Sequence, residues 1–152
     1  MSYQEIREKF RKEVSMPSEQ LKVTHPTVWN YGPEFVDYTE DGRFTLSFPV
    51  RPEQRNGYHL LQGGVISSFI DDAFGLFVYI ASDGNPLSTI NMNVNYHKGV
   101  TLEINRVLVT ASVIRAGRKV VSMEAEVRDP DGRLIATCQS NLLNINKVEL
   151  HY

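Results

Sequence analysis

A chain of 152 residues, 41% hydrophobic and 22% charged, is long enough to bury one core and has the make-up of an ordinary soluble globular protein. Its net charge of -2 and pI near 6.1 give no support for a nucleic-acid or membrane-surface partner. The single cysteine, Cys138, excludes an intramolecular disulfide and a cysteine-based zinc cluster, and His25, His97 and His151 make no metal spacing, so no metal is expected.

Tyr3 to Val14 has helical periodicity with charges on its open face, and the stretch from Met1 to Lys12 lacks the apolar core of a signal peptide. Met16 to Pro33 carries three prolines and reads as an irregular arm with one short helical turn at most. Glu34 to Asp41 and Arg43 to Val50 are strand-like around an Asp41-Gly42 hairpin signal, and Arg51 to Leu61 is a polar loop. One long helix follows, about Gly63 to Ser82, stopped by Asp83-Gly84-Asn85-Pro86. Its most apolar stretch, Val65 to Ala81, contains Asp71 and Asp72 and reads as too polar for a membrane span, which makes a reducing cytoplasm the expected location. Ser88 to His97, Glu103 to Ala116, Lys119 to Arg128 and Leu134 to Ile145 complete a set of strands separated by short turns. No repeat or linker divides the chain, so one domain over 1–152 is expected, with 1–33 as its N-terminal helix and arm. Short turns imply an antiparallel sheet, and a helix apolar over most of its circumference must be covered on most sides. The economical arrangement is α+β: a curved antiparallel sheet wrapped around the long helix.

That helix opens Gln62-Gly63-Gly64-Val65, an unusual start because glycine forms helices poorly. The pair is either a tight loop entry or a place where a ligand approaches bare backbone, whose first N–H groups lack intrahelical partners and can hold a developing oxyanion. At 100° per residue, Ser67, Ser68, Asp71 and Gly75 share a small polar sector, while Val65, Phe69, Ile70, Ala73, Leu76, Phe77 and Ile80 read as core. Asp72 falls outside that sector, between Leu76 and Tyr79. Either aspartate can simply satisfy neighbouring donors, or Asp71 can be a catalytic carboxylate. Cys138, in an apolar strand, reads as structural. There is no Walker loop, dinucleotide fingerprint or Gly-x-Ser-x-Gly elbow.

Asn56-x5-Gln62-Gly63-Gly64-Val65-x5-Asp71-x3-Gly75, with Ser88-Thr89-Ile90-Asn91-Met92-Asn93-Val94-Asn95-Tyr96 further on, resembles the signature of the PaaI-like branch of hotdog-fold thioesterases, over roughly Arg43 to Asn144. The resemblance implies a hotdog fold and hydrolysis of an acyl-CoA thioester, with Asp71 as general base or nucleophile. It implies that Gly63 supplies the N–H that polarises the carbonyl, with Gly64 and Val65 beside it, and that Asn56 positions water or the carboxylate. Thr89 matches a position where a hydroxyl orients the attacking water, and Asn91 and Tyr96 lie in the matching strand near substrate. Gln62 stands where the family usually has histidine, and glutamine cannot change charge near neutral pH. His59, three residues earlier, reads as an ordinary loop residue. Arg115, Gly117, Arg118 and Lys119 form a basic turn that in similar enzymes meets the phosphates of coenzyme A; a solvated hairpin tip is the equal alternative.

The resemblance further implies a site between subunits, hence at least a homodimer, with a tetramer as the expected assembly and no cofactor beyond the coenzyme A of the substrate. The alternative is a non-catalytic module that binds acyl-CoA or another ligand. The sequence does not name the acyl group; Phe74, Phe77, Tyr79 and Tyr96 are the candidate liners of an acyl pocket.

Overall fold

The computed structural model describes residues 1–14, 30–85, 87–101, 103–144, 146–147 and 149–152. Most of the arm expected over 16–33 lies outside the described residues. Helix α1 (Tyr3–Val14) begins with a capping box: the Glu5 N–H donates to Ser2 Oγ at 3.3 Å, and the Ser2 N–H donates to Glu5 Oε2 at 2.7 Å. Ile6 and Phe10, four residues apart and so on one face, are buried. Phe10 meets Phe35 at 5.8 Å and Phe44 at 6.4 Å between ring centroids, which seats α1 against the first strands.

Strands β1 (Glu34–Tyr38), β2 (Phe44–Pro49), β3 (Ser88–Tyr96), β4 (Arg106–Ala116), β5 (Val120–Arg128) and β6 (Leu134–Leu143) form one antiparallel sheet in the order β1-β2-β4-β5-β6-β3. The turn between β1 and β2 is closed by the Gly42 N–H donating to Thr39 O at 2.9 Å, with Gly42 at φ 78. That conformation is one that glycine adopts without strain. The β4 strand begins three residues later than the sequence pattern suggests, because the Ile104 N–H turns back to Thr101 O.

Helix α2 (Gly63–Ala81) lies against the sheet, as the α+β wrap requires. Phe69 stacks on Phe48 at 4.6 Å and Phe77 on Phe44 at 5.1 Å. Phe74 and Phe77 are fully buried in this core, so they are packing residues rather than liners of an open pocket. Contrary to the reading from sequence, the two aspartates do not make α2 too polar for a span: by length and composition alone it is apolar enough to cross a membrane. Its ten buried residues are instead part of the core under the sheet.

Two features of β3 shape the surface beside α2. It is an edge strand, paired only with β6 among the described residues, and most of its side chains are exposed. It also carries a bulge at Ile90: Asn91 pairs with Asn141, yet Thr89 pairs with Leu142. An extra residue reverses the alternation of faces. Thr89 is thereby turned to the helix side, with Met92, Val94 and Tyr96, while Asn91, Asn93 and Asn95 face outward.

Candidate active site

Helix α2 runs opposite to β3, so each end of the helix meets a different end of the strand. Near the middle of α2, Thr89 Oγ1 donates to Asp71 Oδ1 at 2.7 Å. Asp71 Oδ2 has no described partner, and the residue is exposed. This carboxylate is therefore oriented by one hydroxyl and keeps an acceptor free for water. The bulge at Ile90 produces the contact; without it Thr89 would point away from α2. Asp72 is half-buried and has its own interaction partner.

At the helix start, Gln62 is the N-cap with extended backbone, φ -66 and ψ 136, and its side chain makes no capping bond. The carbonyl of Gln62 accepts the N–H groups of Val65 at 3.0 Å and Ile66 at 3.2 Å. The N–H groups of Gly63 and Gly64 donate to no described acceptor, as the first donors of a helix do when no side chain caps them. Tyr96 reaches over from β3: its hydroxyl donates to Gly63 O at 2.8 Å and lies 2.6 Å from Ser67 Oγ. A Cβ on Gly63 would meet the Tyr96 ring at 3.2 Å, whereas one on Gly64 or Gly75 would meet nothing within 4 Å. Gly63 is thus favoured by a neighbour in the same chain, since any larger residue would make the Tyr96 ring give by a few tenths of an ångström. Gly64 and Gly75 answer to no contact among the described residues, although a glycine in a helix interior, as at Gly75, costs about 1 kcal/mol relative to alanine.

Asn56 Oδ1 accepts the N–H groups of Tyr58 at 2.9 Å and Leu60 at 3.2 Å, so half of its amide is spent on shaping the loop before α2. His59 sits in that loop at φ 60, a strained conformation for a side-chain-bearing residue, and is exposed. Asn56, Leu60, Gly63, Ile66 and Tyr96 line a recess of about 270 Å³ beside the helix start. Val65 is half-buried against the core. Asn91 is not brought to this region: its Oδ1 accepts from Asn141 N and Nδ2, both at 3.1 Å, on the outer face of the sheet.

The basic turn stands apart from the helix start, at the sheet end where β3 begins. Gly117 N–H donates to Val120 O at 2.9 Å, and a Cβ there would come within 2.6 Å of that oxygen, so glycine is dictated by the turn itself. Gly117 and Arg118 border a recess of about 340 Å³ shared with Asn144 and Lys147. Arg115, Arg118 and Lys119 are exposed. Spacing in the sequence does not single out Lys147; the Asn144 N–H donating to Lys119 O at 2.8 Å brings its segment to the turn.

Cys138 faces the helix side of β6 and is 3% exposed; burial pushes its thiol up to about 11. Relative to an ordinary thiol this leaves about a hundredfold less thiolate at pH 8. Cys138 in the native protein is therefore expected to react with a thiol reagent far more slowly than in denaturant, which a colorimetric thiol titration reads directly. Among the described residues no group of three or more His, Cys, Asp or Glu residues has a metal-binding arrangement.

The sequence model of the thioesterase superfamily matches residues 58–136, which include the helix start, Asp71, Thr89 and the basic turn. A protein of Saccharolobus solfataricus, provisionally named an esterase, is 31% identical over 100 residues, covering 62% of this chain and 66% of that protein, just under two thirds of its length. A provisionally named thioesterase from Ralstonia eutropha JMP134, related to phenylacetic acid degradation, superposes with a TM-score of 0.74 at 21% identity, over 89% of this chain and 98% of that one. A Streptococcus pneumoniae TIGR4 protein described as a hypothetical thioesterase, solved with coenzyme A, does so with a TM-score of 0.71 at 19% identity, over 86% and 98%. These likenesses agree with the sheet order and wrapped helix in identifying the hotdog fold. The chain belongs to the thioesterase superfamily, and that membership supports thioester hydrolysis as its chemistry.

Proposed function

We propose that the protein hydrolyses an acyl-CoA thioester to a free carboxylic acid and coenzyme A, in a site assembled between two copies of the chain. The observation that carries this reading is the exposed Asp71 carboxylate, oriented by Thr89, on the same helix as two N–H groups with no acceptor among the described residues. Gly63 and Asp71 are eight residues apart, so on one helix they are separated by roughly 12 Å. A single carbonyl needs its oxyanion donors and its base within about 3 Å of the reacting atoms. One copy cannot supply both. A second copy, with its helix running the other way, brings its Asp71 to the first copy's helix start. The free edge of β3, with Ile90 55% exposed, is a template for pairing with a second copy, and Gly64 and Gly75 leave room on α2. In this reading a homodimer is the minimal unit and a pair of dimers the assembly.

The helix start of one copy holds the thioester oxygen as negative charge develops on it. Asp71 of the other takes a proton from water while the water oxygen bonds to the carbonyl carbon. Collapse of the tetrahedral species breaks the carbon–sulfur bond and releases the coenzyme A thiolate. Direct attack by the carboxylate, followed by hydrolysis of the anhydride, uses the same geometry. No cofactor is needed beyond the coenzyme A of the substrate. The solved S. pneumoniae structure with coenzyme A supports that substrate class, as does the basic turn.

Free-thiol release measured across aryl- and alkyl-CoA substrates tests the activity. Steady release from at least one supports it. Saturable acyl-CoA binding without release instead supports a non-catalytic binding module, the reading that Gln62 in place of histidine favours. Arg118→Glu is expected to raise KM severalfold while kcat changes less, since a phosphate contact is remote from the reacting carbonyl. An unchanged KM would remove this turn from the coenzyme A site.

A further inference from the structure

The hydroxyls of Ser67 and Tyr96 form a short chain that ends on the first peptide of α2. Tyr96 Oη lies 2.8 Å from Gly63 O and 2.6 Å from Ser67 Oγ. A phenol has one proton, and the carbonyl can only accept, so Tyr96 donates to Gly63 O and Ser67 donates to Tyr96. We propose that Tyr96, supported by Ser67, is a positioning residue that orients and polarises the Gly63–Gly64 peptide, making the Gly64 N–H an aimed oxyanion donor beside that of Gly63.

The inference rests on the thioesterase reading only for the identity of the oxyanion. Three observations support it. The peptide is planar and trans, so the Gly63 carbonyl and the Gly64 N–H point in opposite directions. A proton donor on the first therefore fixes the aim of the second. Hydrogen bonding at the carbonyl also draws electron density from the nitrogen and strengthens the N–H as a donor, an effect on the order of 10–30% per bond in a chain. Second, the ring is fitted to its target: a Cβ on Gly63 would come 3.2 Å from Tyr96 Cζ, so the phenol sits this close to the carbonyl with glycine at residue 63 and would have to give way to any larger residue. Third, the position of Gly64 is open where that of Gly63 is not. A Cβ on Gly64 would meet nothing within 4 Å, and its N–H has no described acceptor. The Gly64 N–H, like that of Gly63, has no hydrogen bond among the described residues to give up when a ligand oxygen arrives.

Tyr96→Phe keeps the ring against Gly63 and removes only the donor. In the full-length protein it is expected to lower kcat about tenfold, less than loss of an oxyanion donor itself, with KM within about twofold and the melting temperature little changed. Ser67→Ala is expected to lower kcat about threefold, and the double variant to match Tyr96→Phe alone, because Ser67 acts through the phenol. A second readout is independent of turnover: the Gly64 amide proton and nitrogen resonances should move upfield in Tyr96→Phe, while the Gly75 amide stays in place. An unmoved Gly64 amide in a folded Tyr96→Phe protein overturns the proposal, as do additive effects of the two substitutions. If the wild-type protein releases no thiol from any acyl-CoA, the thioesterase reading fails, and the Gly64 resonance alone decides for or against the positioning role.

Discussion

Asp71→Asn is expected to lower kcat by about a hundredfold or more on the best acyl-CoA, the usual scale for removing a general base. Asparagine keeps the size and lets Thr89 continue to donate to an oxygen, so the change removes basicity and little else. Asp72→Asn is expected to act on stability or assembly instead. Asp72 is rotated by about 100° from Asp71 on α2, is half-buried, and is engaged within the chain. The two variants, compared with wild type by thiol release after melting temperature and oligomeric state have been matched, separate the roles. Near wild-type turnover in Asp71→Asn, or abolition of turnover by Asp72→Asn alone, would show that the wrong carboxylate has been chosen.

Mixing two inactive variants should restore activity. In the shared site, Asp71→Asn spoils the base of each site it enters, and Gly63→Val spoils the helix start by driving a side chain into the Tyr96 ring, 3.2 Å from a bare Cβ. Each homodimer is then dead at both sites. A mixed dimer has one site that draws Asp71 from the Gly63→Val chain and the helix start from the Asp71→Asn chain. With random exchange half of the dimers are mixed and each has one good site of two, so about a quarter of wild-type activity should return. Gel filtration confirms that subunits have exchanged, and thiol release is followed against the mixing ratio. Exchange without recovery would mean that Gly63 and Asp71 serve the same site from one chain, against the roughly 12 Å that separates them on α2.

Local pattern was enough to locate nearly all the elements, because each signal acts within a few residues. The alternation in β5, the apolar arc of α2 and the Asp41-Gly42 turn correspond to strand Val120–Arg128, helix Gly63–Ala81 and a turn closed at Thr39 and Gly42. The resemblance built on Asn56, Gly63, Asp71 and Gly75 led to the thioesterase superfamily, which the match over residues 58–136 establishes. The sector containing Ser67 and Asp71 was legible for the same local reason: helical period alone sorts residues around an axis.

What that period does not contain is the identity of the partner across the gap. The order β1-β2-β4-β5-β6-β3 sends β3 past three strands to the far edge, a choice made by packing over α2 rather than by closeness in sequence. Strict alternation along Ser88–Tyr96 would put Thr89 and Asn91 on one face, and both were expected near substrate. The bulge at Ile90 separates them, bringing Thr89 to Asp71 and Asn91 to Asn141 on the opposite face. Tyr96 and Ser67 are 29 residues apart, and only the antiparallel passage of β3 along α2 joins them at the helix start. Sequence by itself determined the family, the elements and the small polar sector of the helix on which Asp71 lies, since these depend on residue type and local period. The tertiary structure alone decided which strand lies beside that helix and where its register slips, because pairing and register are set by contacts between segments distant in the chain.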